Sequence, residues 1–149
     1  DVAFIKRIVG LPGDDIQVKR GVLHINGTPV KREHEDVGTA TDGFSVIKYD
    51  DYVENLPEGT SHSIREMSDA GSLDNTRVYS VPKGHYFMMG DNRDNSRDSR
   101  TTSVGMVPAE NLIGRAERLF FSHNSSAHLW EIWKWPFAVR YGRLGDGIM

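Results

Sequence analysis

The 149-residue chain is predicted to be mainly β, and three observations carry that prediction. Its apolar residues fall in short β-branched or aromatic runs, such as FIKRIV over 4–9 and HYFMM over 85–89. Gly, Pro, Asn and Asp punctuate those runs as turns. No stretch carries the 3.6-residue period of a long amphipathic helix, and no internal repeat is present.

In chain order, residues 4–9 predict a strand that Gly10-Leu11-Pro12-Gly13-Asp14 closes as a tight turn. Ile16 and Val18, then Val22, Leu23 and Ile25, predict two short strands broken at Lys19-Arg20-Gly21. Asn26-Gly27 is a type I′ hairpin signal, because both central positions of that turn need positive φ, and Val30 would continue the returning strand. Charged and turn residues dominate from 31 to 79, with β-prone pieces at 44–49 and 77–81. That stretch predicts an inserted β-ribbon or loop-rich subdomain, leaving 1–30 and 80–149 as the core. The apolar run at 85–89 predicts a buried strand. Residues 104–107 and 112–121 predict two more, separated by Pro108-Ala109-Glu110-Asn111 as a turn or single helical turn.

Composition narrows the function. Lys plus Arg is 18 and Asp plus Glu is 21, a formal charge of −3. That balance argues against a nucleic-acid partner, which calls for a basic surplus. Cysteine is absent, which excludes disulfides and thiolate chemistry. No run reaches the ~20 apolar residues of a membrane helix. The six histidines lack metal-ligand spacing, and no Gly-x-Ser-x-Gly elbow occurs. Two Ser-x-x-Lys pairs, Ser45/Lys48 and Ser80/Lys83, lie in extended contexts rather than on a helical turn.

The densest polar segment follows the 85–89 strand: Gly90-Asp91-Asn92-Arg93-Asp94-Asn95-Ser96-Arg97-Asp98-Ser99-Arg100. Asp and Asn fold back on their own backbone and Arg forks onto carboxylates, so the segment can build a rigid, self-satisfied loop. It could equally be a solvated loop at one end of a sheet. An EF-hand reading fails at Ser99 and Gly105, where that motif needs Gly and Glu, and no phosphate-binding Gly-Lys-Ser/Thr follows. Lys6 is the second candidate. Flanked by Phe4, Ile5, Ile8 and Val9, it could sit on a partly desolvated strand face as a general base, or at a sheet edge where it blunts aggregation.

Together these segments resemble the bacterial type I signal peptidases, membrane-bound proteases with a Ser/Lys dyad. The resemblance rests on Phe4-Ile5-Lys6-Arg7-Ile8-Val9-Gly10-Leu11-Pro12-Gly13-Asp14 and on the 90–100 segment. Gly105-x-Val107-Pro108 and Leu112-Ile113-Gly114-Arg115-Ala116 add to it. It implies coiled antiparallel β-sheets, Lys6 as general base, Ser96 orienting its amine, and no metal or cofactor. Arg7, Gly90, Asp91, Arg93, Asn95, Asp98 and Arg100 would support the site. The family's nucleophile box, Ser-x-Ser-Met-x-Pro, and its membrane anchor lie upstream of the lysine box and find no match here. The chain is therefore expected to be inactive alone.

The implied substrates are signal peptides of exported preproteins, cleaved at the outer, periplasmic face of the bacterial cytoplasmic membrane by a monomer. Substrate would add as a β-strand beside residues 2–5. Trp130, Trp133, Trp135 and Phe137 could contact lipid or pack in a core. Two rival readings are a fragment of a repressor-type Ser/Lys autoprotease and a non-catalytic β module that binds peptides or partners.

Overall fold

The computed structural model describes residues 3–41 and 43–116. The described residues up to Ile113 belong to one compact unit. The aromatic tail at 130–137 and the 117–121 part of a predicted strand lie outside the described residues.

Three antiparallel sheets make up this unit, so the predicted mainly β class holds. Strand β1 (Arg7–Gly10) pairs with β9 (His85–Met89), whose other edge takes β10 (Val107–Pro108). A second sheet has the order β4-β3-β2-β8, from Thr28–Pro29, Val22–Ile25, Asp15–Lys19 and Tyr79–Ser80. The third is a ribbon of β5 (Lys31–Thr41), β6 (Val46–Asn55) and β7 (Ser61–Glu66).

The first two sheets share a core of Val9, Ile16, Val18, Leu23, Phe87 and Met89. Each such side chain contributes about 1.5–3 kcal/mol on leaving water. Gly10 makes the close approach possible. It sits where the β1–β9 register shifts, and a Cβ there would meet Ile16 Cγ1 at 2.7 Å and Phe87 Cβ at 2.9 Å. Both short hairpins turn through left-handed pairs: Asn26 (φ 53°) with Gly27 (φ 78°), as expected, and Arg20 (φ 46°) with Gly21 (φ 73°). Arg20 tolerates that backbone because its N–H is held by Asn75 Oδ1 at 3.0 Å.

The structure differs from expectation at four elements. The strand expected over 104–107 shortens to Val107–Pro108, because the chain turns through Gly105 (φ 64°), whose N–H reaches Thr101 O at 2.9 Å. Strand β1 begins at Arg7, because Arg7 faces Met89 at the end of β9 and earlier residues find no ladder partner. Residues 112–116 form no strand, while Ala109–Asn111 is the expected helical turn. The charged stretch after residue 30 is far more regular than its composition suggests. Its strands run 11 and 10 residues in β5 and β6. Charge and aromatic pairs across strands replace an apolar face there. Arg65 forks onto Asp51 with both bonds at 2.8 Å and lies 3.5 Å from the Tyr49 ring centroid. Arg32 stacks 4.4 Å from the Tyr52 centroid, and His34 contacts Asp50 at 2.9 Å.

A charge cluster of buried Glu66, partly buried Arg32 and exposed Asp69 ties this ribbon to the Arg20-Gly21 turn. Arg32 donates to Glu66 at 2.8 Å and to Asp69 at 2.9 Å, and both carboxylates crowd the space where Gly21 lacks a Cβ. Burial outweighs the Arg32 pair at Glu66 and pushes its carboxyl up to about 7. The folded state thus binds this proton more tightly than the unfolded chain does. The resulting contribution to stability is present below about 4.5 and is lost as pH rises through 7, on the order of 3 kcal/mol. Urea unfolding at pH 5 and pH 8 is expected to show a smaller pH-dependent loss for Glu66→Gln than for the parent. Equal losses in both proteins would remove Glu66 as the cause.

Candidate active site

The β1–β9 register sets the site. With Arg7 opposite Met89, the chain just before β1 meets the chain just after β9, so Lys6 comes to lie beside Gly90. Lys6 is half-buried, and its Nζ donates to Ser96 Oγ at 2.8 Å across 90 residues of sequence. Among the described residues its amine enters no ion pair. Gly90 makes room for this contact. A Cβ at that position would lie 2.2 Å from Ser96 Oγ, 2.7 Å from Ser96 Cβ and 3.2 Å from Lys6 Nζ.

The loop presenting Ser96 is braced from inside. Asp98 and Arg100 are buried, with Arg100 Nε and Nη2 donating to the two Asp98 oxygens at 2.9 and 2.8 Å. Asp98 Oδ2 also accepts the Gly90 N–H at 3.0 Å, so one carboxylate ties the start of the loop to its end. Burial alone would raise the Asp98 carboxyl, but the Arg100 guanidinium and the Gly90 N–H outweigh it and hold the group below the ordinary aspartate value. Arg7 forks onto Asp91 at 2.9 and 3.0 Å, anchoring the loop to β1 next to Lys6. Asn95 is exposed, and its N–H reaches Asn92 O at 3.3 Å as part of the turn.

Arg93, predicted as a supporting residue of this loop, turns inward instead of bracing it locally. Its Nη1 and Nη2 fork onto Glu54 of β6, the first at 2.9 Å, with both side chains 1% exposed. Burial pushes the Glu54 carboxyl up, but His62 and the Arg93 fork overcome this and bring it down to about 2. His62 Nε2 is 3.2 Å from Glu54 Oε2 yet off the axis of a hydrogen bond, so the Arg93 fork is the stronger hold.

Sequence reasoning missed Glu54, His62, Ser99 and Asp94. Ser99 Oγ accepts the Met88 N–H at 2.9 Å while its own N–H reaches Met88 O at 3.0 Å, which zips the loop back along β9. Asp94 Oδ2 accepts the Met67 and Ser68 N–H groups at 2.6 and 3.0 Å. Ser99 and Asp94 stand inside the conspicuous polar segment, so their chemistry was visible. Glu54 and His62 carried no signal, because nothing in a charged stretch marks which charge is buried. Among the described residues no group of three or more His, Asp or Glu side chains is arranged to hold a metal.

Fold and side chains together define an antiparallel β domain in which a strand-end lysine is held by a serine hydroxyl from a braced polar loop. Comparison with known proteins names the family. A family model described as "Signal peptidase, peptidase S26" matches residues 1–121, and the chain belongs to that family. Signal peptidase I of Rickettsia akari is 41% identical over 128 residues, covering 82% of this chain and 47% of that protein. Signal peptidase I of Rickettsia typhi is 42% identical over 127 residues, covering 81% and 47%. The chain thus spans about half the length of the curated relatives it matches. A solved signal peptidase I from Enterococcus faecalis shares 26% identity over 73% of this chain and 78% of that one, with a TM-score of 0.36.

Gly90→Ala is expected to break the Lys6–Ser96 contact and to cost about 1–3 kcal/mol of stability through overpacking. A crystal structure of the variant with urea unfolding would check both effects. A retained contact near 2.8 Å would show that the loop can absorb a methyl group.

Proposed function

We propose that this chain supplies the base side of a Ser/Lys endopeptidase that removes signal peptides from exported preproteins. The observation that carries the reading is the 2.8 Å contact between Lys6 Nζ and Ser96 Oγ in a member of the signal peptidase family. Lys6 acts as general base. It takes the proton of a nucleophilic serine hydroxyl as that oxygen attacks the scissile carbonyl, then returns the proton to the departing amine. Water resolves the acyl-enzyme by the same exchange. Ser96 aims the amine throughout. An adjacent carboxylate would hold a lysine in its charged form, whereas a hydroxyl orients it without adding negative charge.

Arg7, Asp91, Arg93, Asn95, Asp98 and Arg100 keep the two loops in register, and Gly90 provides the clearance between them. The nucleophile in this reading belongs to a segment of the form Ser-x-Ser-Met-x-Pro, which residues 1–149 do not contain. In this reading residues 1–30 and 80–149 are assigned to the catalytic region, with 31–79 inserted as a ribbon subdomain. The protein works as a monomer at the outer face of the cytoplasmic membrane, with the tail aromatics Trp130, Trp133, Trp135 and Phe137 at the lipid surface. Extended substrate pairs along the chain leading into Lys6, where Phe4 and Ile5 are 78% and 73% exposed and offer apolar side chains to it.

The test is cleavage of a precursor peptide with an Ala-x-Ala site by the full protein. Lys6→Met keeps the aliphatic stem and removes the amine, and kcat is expected to fall at least about 100-fold. Ser96→Ala is expected to lower kcat roughly 10-fold to 100-fold through lost alignment. Parental kcat in Lys6→Met would exclude the general-base role.

A further inference from the structure

We propose that Glu54, on strand β6 of the ribbon, is a positioning residue for the Lys6–Ser96 pair and acts through Arg93. The inference rests on the peptidase reading above for its kinetic consequence, but its geometry stands independently. Glu54 and Arg93 are 39 residues apart in sequence, and the fork between them is sealed from solvent. A buried ion pair is weak support for stability, since apolar side chains of similar volume commonly do as well. What the pair does supply is directional: two parallel bonds that fix both the distance and the plane of the Arg93 guanidinium. Arg93 Nε is buried without a partner, so Glu54 provides the guanidinium's side-chain contacts.

From Arg93 the connection runs to the site through bonds already described. The Arg93 carbonyl accepts Arg100 Nη2, and Arg100 grips Asp98. Asp98 in turn holds the Gly90 N–H at 3.0 Å, and Gly90 lies directly against Ser96 and Lys6. The backbone runs the same way. Arg65 N–H donates to Asp91 O and Arg93 N–H donates to Arg65 O, each at 2.8 Å, while Arg65 and Asn92 form a parallel bridge. Residues 91–93 thereby dock on β7 through a single parallel bridge, and Asp94 caps the two N–H groups beyond the end of that strand. The loop that presents Ser96 is thus built against the ribbon on one side and β9 on the other. Without Glu54, a buried guanidinium loses its anion and the Arg93 carbonyl is free to turn away from Arg100.

The experiment compares Glu54→Gln with Asp51→Asn in the full protein. Asp51→Asn weakens only the Arg65 side-chain fork inside the same ribbon and leaves Glu54, Arg93 and the Arg65 backbone bonds to residues 91–93 in place. Two readouts are taken, steady-state cleavage of an Ala-x-Ala precursor peptide and the Lys6 ¹⁵Nζ resonance in lysine-labelled protein. Glu54→Gln is expected to lower kcat about 10-fold to 100-fold with KM within about threefold. It is also expected to move the Lys6 resonance, and Asp51→Asn to do neither. Parental kcat and resonance in folded Glu54→Gln, or the same loss in Asp51→Asn at equal melting temperature, overturns the proposal. If Glu54→Gln does not fold, Glu54→Gln/Arg93→Met, which strands no buried charge, decides by the same readouts. If the parent shows no turnover, the peptidase reading falls, and the Lys6 resonance alone decides whether Glu54 positions the pair.

Discussion

The site exists because one residue has no side chain. Lys6 and Ser96 lie 90 residues apart in sequence and can touch only across the space where Gly90 would otherwise carry a Cβ. That clearance is useful only if Gly90 itself stays put, and Asp98 fixes it by accepting its N–H. Asp98 is fixed in turn by the Arg100 fork, and β9 delivers the whole loop through the Ser99–Met88 bonds. Core packing of Phe87 and Met89 anchors β9 beneath it. Each layer restricts the next, from apolar burial to a single hydrogen bond.

The charges follow a division of labour. Three carboxylates around the contact each have their own arginine, Asp91 with Arg7, Asp98 with Arg100 and Glu54 with Arg93, while Asp94 accepts two backbone N–H groups instead. Such forks satisfy the anions and leave the Lys6 amine to a neutral partner. At Glu54 His62 and the Arg93 fork win over burial, and at Asp98 the Arg100 fork and the Gly90 N–H do, so both carboxyls are held below their ordinary values. At Glu66 burial wins over Arg32, and the carboxyl is raised. The difference follows from geometry. Glu54 meets a full two-toothed fork, whereas Arg32 divides its guanidinium between Glu66 and Asp69. The loop charges therefore act as fixed structural members at neutral pH, while the cluster at the Arg20-Gly21 turn can change its proton load.

Much of this was legible in the sequence, for local reasons. The β9 run, the Asn26-Gly27 turn and the helical turn after Pro108 each depend on side chains within a few residues. The polar segment from Gly90 to Arg100 announced a rigid loop because its partners Asp98 and Arg100 lie two apart. Other features depended on partners far away in sequence. The end of β1 at Arg7 is set by where β9 stops, and the regularity of β5 and β6 is set by cross-strand charge pairs that mimic solvated loop composition. The direction in which Arg93 turns belongs to this second kind. Within its own segment Arg93 has Asp91, Asp94 and Asp98 as plausible anions, and it takes none of them, reaching instead into the ribbon.

That choice bears on why the polar segment alone would not suffice. Its own pairs could rigidify residues 90–100 as a body, but a rigid body still has to be aimed. The Ser99–Met88 bonds attach it to β9 along one line, and attachment along one line leaves a hinge. Docking of residues 91–93 on β7, with Glu54 locking Arg93, supplies a second line of attachment at the far side. Two attachments remove the hinge, and a hydroxyl aimed to within a fraction of an ångström needs that. A long charged ribbon that shares few of the core's apolar residues thereby acquires a physical reason to be folded, and folded against this loop.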